Sequence, residues 1–434
     1  MNKLKGNEAM NDHGADPNGC GKDFDHHGQP YAHDPFGVLS ELRERCPVAR
    51  SENHGGYWVL TRYADIERVA RDYETFSSDH DLTADGTGFG GITIPPTGSY
   101  RRNPVEIDPP RMLKYRHLLN PFFAPGAIER TRPRIERWVT ACIDRVIDAG
   151  SFDVVLDLAM PVPALFTADF LGLPLEDWED WSWPQHQLNF APPGSAESDA
   201  AKRLMSENQG RLLDRVHHRR RQPADDLITV LVQAAIDSSP LTDTEIVEIC
   251  MTIISGGFVT TTALTAHALS WLALNPKERK RLADDPTAIP RAAEEFLRVF
   301  SPAHALARTV TRDVELGGQH LRAGDRVLVS WAAANWDPAV FDAPGEMRLE
   351  RTPNRHASFG FGIHRCIGNS FARTEFEIMV REVLRRMPDY TIDVSATHPY
   401  PSIGVINGII SMPATFTPGP IIGTSRDLVV SKRR

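Results

Sequence analysis

The sequence predicts an α+β protein that is mostly helical and carries a minor, segregated set of strands. Helical apolar periodicity dominates residues 111–300. Runs of β-branched and aromatic residues are confined to four short stretches: 57–61, 307–318, 326–331 and roughly 403–416. The length of 434 residues would allow two or three domains. However, no Gly/Ser linker, internal repeat or composition break divides the middle of the chain, so one large domain is expected.

The elements of the N-terminal part follow from local patterns. A helix is predicted over residues 34–46, where apolar residues recur at helical spacing before Pro47. The aromatic and β-branched run 57–61 predicts a strand. Residues 81–104 are rich in Gly, Pro, Thr and Asp and predict a long loop. Such loops in compact domains are often binding lids.

The longest predicted helix begins at a capping box in residues 242–245 and ends at Asn275 before Pro276. It is about 33 residues long, or ~50 Å at 1.5 Å per residue. Because it is apolar nearly all round, it is expected to run through the core. Midway it carries Gly256-Gly257 and three threonines, 260–262, which weaken a helix. Either a well-packed helix tolerates them, or the hydrogen-bond ladder opens there at a functional site.

The termini and bulk composition bound the class of protein. Residues 1–30 are polar and predict a disordered tail, followed by one domain over 31–418 and a C-terminal tail over 419–434. The formal net charge of −9 gives no global basic bias, which argues against a nucleic-acid binder. We expect no membrane span and no signal peptide. The five cysteines are scattered and odd in number, which favours reduced thiols and a cytoplasmic location.

Cys366 lies in the run Phe359–Gly368, which has glycines at positions 360, 362 and 368. These glycines predict a tight loop that a flat, bulky group can approach closely. The next stretch is helical until Pro388, so the sulfur is expected at a helix N-terminus, where its pKa would be lowered. A thiolate on such a loop can be an axial ligand of haem iron. The alternative, an inert core cysteine, does not account for the glycines.

This run resembles the haem-binding signature of the cytochrome P450 family, a long and specific motif. The residues on its signature positions are Phe359, Gly360, Gly362, Arg365, Cys366 and Gly368. The resemblance covers about residues 30–418, with further matches at 108–116, 256–261 and 295–298. It implies the cytochrome P450 fold, with haem b (iron protoporphyrin IX) held between the long central helix and the helix after Cys366, its metal ligand.

Two further sets of residues are assigned by this resemblance. Glu295 and Arg298, spaced i, i+3 on an apolar helical run, match the ExxR motif of the family, and Arg351 would close their ion pair. These three are expected to be structural. The haem propionates need cations, and the residues expected at the haem are Arg116, Arg308 and His364, with Gly257, Phe359, Gly360, Arg365 and Gly368 as other cofactor contacts.

The central helix departs from the family pattern at one position. Aligned on Gly256-Gly257, Thr260 falls on the threonine that manages protons, with Thr261 as a second catalytic candidate. The acid that usually precedes the threonine is replaced by Val259. The ordinary proton route is therefore in question. Protons could arrive through waters at neighbouring hydroxyl groups, or the enzyme could work better with peroxide than with dioxygen.

The resemblance implies a monooxygenase that inserts one oxygen atom from dioxygen into a C–H bond of a small, largely hydrophobic molecule. Separate ferredoxin and ferredoxin reductase proteins would supply the electrons. Arg111, Lys114, His117 and Arg365 could form a basic docking patch, or simply a solvated face. The predicted substrate pocket consists of Ile92, Ile94, Tyr100, Ile253, Gly256, Phe258, His304, Ala305, Leu306, Val405, Ile406 and Ile409. The competing interpretations are a peroxide-driven or otherwise atypical haem-thiolate enzyme, a non-enzymatic haem sensor or electron carrier, and a haem-free protein.

Overall fold

The structure, a computed structural model, describes residues 21–80, 90–96 and 100–423 and confirms the mostly helical α+β architecture. The α-helices are α1 Gln29–His33, α2 Pro35–Arg45, α3 Tyr63–Arg71, α4 Arg111–Phe123, α5 Pro125–Asp144, α6 Pro161–Leu171, α7 Trp178–Phe190, α8 Ala196–Arg221, α9 Leu227–Gln233, α10 Asp243–Leu274, α11 Pro276–Asp284, α12 Ile289–Phe300, α13 Trp331–Asn335 and α14 Asn369–Arg386. The strands are β1 Val48–Ser51, β2 Tyr57–Leu60, β3 Phe76–Ser77, β4 Ser151–Asp153, β5 Ala235–Ile236, β6 Ser239–Pro240, β7 Ala305–Val310, β8 Val314–Leu316, β9 Gln319–Leu321, β10 Arg326–Ser330, β11 Thr391–Ile392, β12 His398–Pro399, β13 Ile409–Ser411 and β14 Pro413–Thr415.

The largest sheet has the strand order β1-β2-β10-β7-β3. Strand β10 runs parallel to β2 and antiparallel to β7. A hydrophobic core forms around this sheet with α1–α3 and α13. A second, larger core joins α4–α12 and α14. The largest sheet thus has its own core, whereas β4, β13 and β14 contribute Phe152, Ile409 and Ala414 to the main helical core.

Helix α10 runs through the main core for 32 residues and begins at the predicted capping box, with Thr242 and Glu245 bonded reciprocally. Its backbone stays helical through the glycines and threonines. The hydroxyl of Thr260 donates to the Gly256 carbonyl at 3.0 Å, and that of Thr262 to the Phe258 carbonyl at 2.9 Å. The helix therefore tolerates these residues within a continuous ladder, and the predicted local opening is absent from α10 as described.

Two segments are long and apolar enough to cross a membrane by length and composition, Val154–Leu171 and α10. The most apolar 18-residue windows of the two segments are 83% and 56% buried inside the protein, respectively. This burial is what the core helices of a globular protein show. The expectation of no membrane span is not contradicted by these segments and stays a prediction.

The ordered chain extends beyond the predicted domain boundaries. Phe24 and His26 are buried, and the hydroxyl of Ser51 in β1 donates to the Phe24 carbonyl at 2.7 Å. At the other end, the N–H of Gly423 donates to Asp144 of α5 at 2.7 Å. The tails over 1–30 and 419–434 are therefore too long as predicted, although residues 1–20 and 424–434 lie outside the described part. Cys46 is disulfide-bonded, contrary to the prediction of reduced thiols, whereas Cys142, Cys250 and Cys366 are free.

The carboxyl group of Glu375 in α14 is buried, and its Oε2 has no hydrogen-bond partner among the described residues. Burial raises the pKa of Glu375 to about 8. Because the unfolded chain ionises first, a raised carboxyl pKa lowers the free energy of unfolding as pH rises from the unfolded pKa towards the folded one, by up to about 1.4 kcal/mol per pH unit. We expect Glu375→Gln to flatten the dependence of the free energy of unfolding on pH between about 5 and 8. Thermal or denaturant unfolding across this range checks it, and equal slopes in both proteins would contradict it.

Candidate active site

The Cys366 loop is a tight turn between α13 and α14. Gly360 and Gly362 have φ of +67° and +66°. At Gly362 a Cβ would lie 2.8 Å from the Ala70 carbonyl oxygen, so this position requires glycine. The Cys366 N–H donates to the Phe359 carbonyl at 2.8 Å and closes the loop. The loop therefore holds the sulfur two residues before Gly368, the residue that caps α14.

The side chain of Cys366 is accessible, although protein surrounds it closely enough to desolvate the sulfur. It therefore faces an internal cleft rather than the outer surface. Burial raises the pKa of the thiol, while the Gly368 N–H and the cations Arg116, Arg365 and Arg373 oppose that rise. The net shift is upward, so the predicted lowering by the helix N-terminus was wrong. Binding to a metal would deprotonate such a thiol directly.

Helix α10 carries an accessible face in the middle of the protein. Gly256 is exposed, and a Cβ added there would meet no atom within 4 Å. Ile253 and Thr260 are partly exposed and lie on the same side, since residues three and four apart share a helix face. Val259 is buried. An exposed glycine inside a core helix indicates that this face also borders an internal cleft.

Three residues predicted nearby point elsewhere. A Cβ at Gly257 would lie 3.0 Å from the Thr167 hydroxyl of α6, so this glycine allows two helices to approach closely rather than a cofactor. Thr261 and Phe258 are buried in the core. The reason is the helical period of 3.6 residues, which turns residues one, two and five positions from Gly256 away from its face.

The three predicted propionate partners come together from three segments, α4, β7 and the Cys366 loop. Arg308 is buried, with no carboxylate within ion-pair distance among the described residues, and burial lowers its pKa to about 10. His364 Nε2 lies 3.8 Å from Asp108 Oδ1, within ion-pair distance but too far for a hydrogen bond, and has no hydrogen-bond partner in the described structure. Burial lowers the pKa of Arg116, while the nearby Cys366 sulfur raises it.

These features fit haem. A buried guanidinium without a carboxylate and a buried imidazole nitrogen without a partner are costly unless an anionic group satisfies them. The two propionates are such groups. The accessible Cys366 sulfur would hold the haem iron, and the open Gly256 face would leave space for the flat macrocycle.

The predicted Glu–Arg network is complete and buried. Arg298 donates to both Glu295 oxygens at 2.7 and 2.8 Å, with both side chains fully buried. Arg351 Nε lies 3.1 Å from each oxygen, and Asn354 donates to Oε2 at 3.1 Å. Burial raises the pKa of Glu295, but these bonds and the Arg348 N–H outweigh it and lower the pKa. The network links α12 to the segment that contains Arg351 and Asn354 and precedes the Cys366 loop.

Sequence reasoning missed Arg373 beside the sulfur and Asn354 in the Glu295 network. Arg373 forms a bidentate ion pair with Glu294 at 2.6 and 2.9 Å and lies over the Phe359 ring at 4.4 Å. Its position in the second turn of α14, seven residues after Cys366, was a usable signal. Asn354 had no signal, because nothing in its neighbourhood predicts a contact with α12.

Backbone hydrogen bonds bring the segments of the predicted pocket together. The Ala307 N–H donates to the Ile92 carbonyl at 2.7 Å, and the His304 N–H donates to the Val405 carbonyl at 2.8 Å. Partly exposed members are Tyr100, Ile253, Leu306 and Val405, and Gly256 is exposed. Buried members are Ile92, Ile94, Phe258, His304, Ala305, Ile406 and Ile409.

The side chain of His304 does not face the pocket. Its Nδ1 lies 3.0 Å from the Tyr31 hydroxyl of α1, and its ring is 5.9 Å from that of Phe36 in α2. The backbone of His304 lies in the segment predicted to line the pocket, but its imidazole packs against helices α1 and α2. Ile94 likewise belongs to the core around the large sheet.

An accessible cysteine on a glycine-rich loop beside cations that fit haem, in a mostly helical fold, is the arrangement expected of a haem-thiolate enzyme. The family model of cytochrome P450 matches residues 194–394. Cytochrome P450 130 of Mycobacterium tuberculosis is 32% identical over 372 residues, covering 82% of this chain and 89% of the relative. Steroid C26-monooxygenase of Mycolicibacterium smegmatis is 32% identical over 381 residues, covering 87% and 91%. The solved structure of CYP109E1 from Bacillus megaterium with testosterone has a TM-score of 0.80 at 28% identity, covering 90% of this chain and 99% of that one.

The chain belongs to the cytochrome P450 family. It is a haem b protein and a haem-thiolate monooxygenase, as the resemblance implied. The sensor, electron-carrier and haem-free interpretations are therefore set aside.

Proposed function

We propose that this enzyme oxidises a C–H bond of a small, largely hydrophobic molecule, with Cys366 as the iron ligand and Thr260 as the residue that handles protons. The observation that carries this proposal is the open face of α10, where Gly256 leaves space and Thr260 presents a hydroxyl beside it. Bound haem supplies dioxygen activation, with one oxygen atom entering the substrate and the other leaving as water.

The apolar character of the pocket supports a hydrophobic substrate. One relative is named a steroid C26-monooxygenase, and the solved structure of another contains testosterone. Both are consistent with a substrate of about the size of a steroid. Besides Thr260, the Tyr100 hydroxyl is a polar group at this surface; it lies 3.5 Å from the Met251 carbonyl and near Ser255 and Gln185. A substrate with an oxygen atom at this end would find a partner there. Screening small hydrophobic compounds for a substrate-induced shift of the haem absorption tests the proposed substrate class.

The hydroxyl of Thr260 donates to the Gly256 carbonyl in this structure, so its oxygen remains free to accept a hydrogen bond from a water. Thr260→Ala removes this donor and acceptor. We expect consumed electrons to be diverted to hydrogen peroxide, with a loss of product per reductant of about 10²-fold, the lower end of the range for a positioned proton-transfer group. Parallel measurement of product, peroxide and reductant consumption checks this expectation.

Two variants separate chemistry from packing in this experiment. Thr260→Ser keeps the hydroxyl and should restore most of the coupling. Thr261→Val keeps the shape of a buried neighbour, whose side chain faces the core, and should leave coupling near the wild-type value. Unchanged coupling in Thr260→Ala would remove Thr260 from the mechanism.

Val259 supports a second candidate, a peroxide-driven haem-thiolate enzyme. Its buried apolar side chain occupies the position where relatives carry an acid, so no carboxylate at this position can feed protons to Thr260. Comparing product yield with dioxygen plus reductant against yield with peroxide alone distinguishes the two. A higher coupled yield with peroxide would favour the peroxygenase.

We further propose a ferredoxin and its reductase as the electron donors. The predicted basic patch is partly neutralised, since Arg111 pairs with Glu245 at 2.5 Å and Lys114 pairs with Asp237. Arg365 and His117 remain exposed. Salt-dependent reduction by an acidic ferredoxin, weakened by Arg365→Ala, is the corresponding test. The cytoplasmic location stays a prediction.

A further inference from the structure

Three histidines from two segments meet on the side of the protein that carries the large sheet. His26 and His27 lie in the segment before α1, and His54 lies in the turn between β1 and β2. One possible ligand atom from each lies within 4.8 Å of the other two. Asp25 joins them, because its Oδ1 is 2.9 Å from His54 Nε2. Neither the haem site nor the proposed pocket chemistry uses these side chains.

The spacing of the rings matches a shared metal ion. A tetrahedral zinc with bonds of about 2.0–2.1 Å places its ligand atoms about 3.3 Å apart and its imidazole centres about 5 Å apart. The observed distances between ring centres are 4.3 Å for His26–His27, 5.7 Å for His26–His54 and 5.3 Å for His27–His54. The rings are tilted or edge-on to one another rather than stacked.

The second nitrogen of each N-terminal ring already has a partner. His26 Nδ1 lies 2.9 Å from the Tyr57 hydroxyl, and His27 Nδ1 lies 3.2 Å from the Ser402 hydroxyl. A metal-binding histidine commonly donates its other ring N–H to an oxygen atom, which fixes the ring orientation, and these two hydroxyl groups can accept in this way. The Tyr57 hydroxyl can in turn donate to the Phe24 carbonyl at 3.3 Å. With Nδ1 protonated, each Nε2 carries a lone pair for a metal, and a metal contact would then replace the hydrogen bond that each Nε2 can form with the Ile94 carbonyl.

We propose that His26, His27, His54 and Asp25 form a site for a divalent transition metal of the zinc class. His26 is buried while His54 is exposed, so an ion can enter from the solvent. The Ile94 carbonyl lies 2.8 Å from His26 Nε2 and 3.0 Å from His27 Nε2, at the inner side of the site. The metal joins the segment before α1 to the β1–β2 turn, next to the loop that carries Ile92 and Ile94.

The competing explanation is a metal-free network. In that case both Nε2–H groups donate to the Ile94 carbonyl, and His54 donates to Asp25. A neutral imidazole forms these bonds in the tautomer that is protonated at Nε2, and in this tautomer Nε2 has no lone pair for a metal. The two explanations differ in whether the protein retains zinc.

The test uses the haem-loaded full chain, dialysed against a chelator and then against Zn²⁺ alone. Zinc and iron are measured together by mass spectrometry, so that the iron content gives the amount of haem-loaded protein. We expect about one zinc per iron in the wild type, and zinc affinity weakened at least about tenfold in His27→Ala and in His54→Ala. His398→Ala, an exposed histidine on β12, is the matched control and should bind zinc as the wild type does.

The spectrum of the reduced carbon monoxide complex shows whether each variant remains folded around its haem. If His27→Ala does not fold, His54→Ala decides, because His54 lies on an exposed turn. Absence of bound zinc in the wild type would overturn the proposal. Wild-type zinc binding in both His27→Ala and His54→Ala would also overturn it. So would a loss of zinc in His398→Ala equal to the loss in those two variants. None of these outcomes depends on the oxidation reaction.

Discussion

Replacing Cys366 by alanine is expected to abolish the strongly red-shifted Soret band of the reduced carbon monoxide complex. That band reports thiolate ligation of the iron, and Cys366 offers an accessible sulfur on a loop closed by glycine turns. Monooxygenase turnover should disappear with it, because the thiolate donates the electron density that favours O–O cleavage. The measurement is the reduced carbon monoxide difference spectrum together with haem content.

Cys142→Ala is the matched control for this variant. Cys142 is a free cysteine buried in α5, and desolvation raises its pKa to about 12. This variant should lose some stability but keep the red-shifted band. Persistence of the band in Cys366→Ala, or its loss in Cys142→Ala, would contradict the assignment of the iron ligand.

Replacing Glu295 by alanine is expected to have the largest effect on stability. It leaves Arg298 fully buried without its carboxylate and removes the partner of Arg351 and Asn354. Breaking a buried ion pair by removing one partner costs about 3–5 kcal/mol. We therefore expect a lower free energy of unfolding and poor haem retention, measured by denaturant unfolding and by the ratio of haem to protein after purification.

Glu278→Ala provides a control with the same spacing in a different environment. Glu278 pairs with Arg281 at i, i+3 on α11 with a distance of 2.8 Å, but both side chains are more than a third exposed. Exposed pairs of this kind contribute about 0–1 kcal/mol. Equal losses of stability in the two variants would show that the burial of the Glu295 network does not matter.

The features predicted correctly from the sequence depend on residues close together in the chain. The capping box at Thr242 and Glu245 and the stop before Pro276 gave the bounds of α10, because helix ends are decided by side chains within one turn. The Cys366 loop was predictable for the same reason, since Gly360 and Gly362 occupy the left-handed backbone region in which only glycine is unstrained. The i, i+3 spacing of Glu295 and Arg298 likewise determined that they could pair.

The wrong predictions concern the direction in which side chains point and the balance of opposing effects on the pKa of Cys366. Gly257, Thr261 and His304 were assigned to the site from their position in the chain. Gly257 instead faces α6, Thr261 faces the core and His304 contacts α1. The pKa of Cys366 was expected to fall at a helix N-terminus, but burial outweighs the nearby N–H and cations.

The sequence alone therefore determined the fold family, the long core helix and the loop that carries Cys366, the proposed iron ligand. It could do so because these depend on short patterns with fixed backbone requirements. Only the tertiary structure decided which face of α10 is open, that the buried Arg308 has no carboxylate partner within the described structure, and that His26, His27 and His54 meet. These arrangements depend on how segments far apart in the chain pack together, and no local pattern of residues encodes that contact.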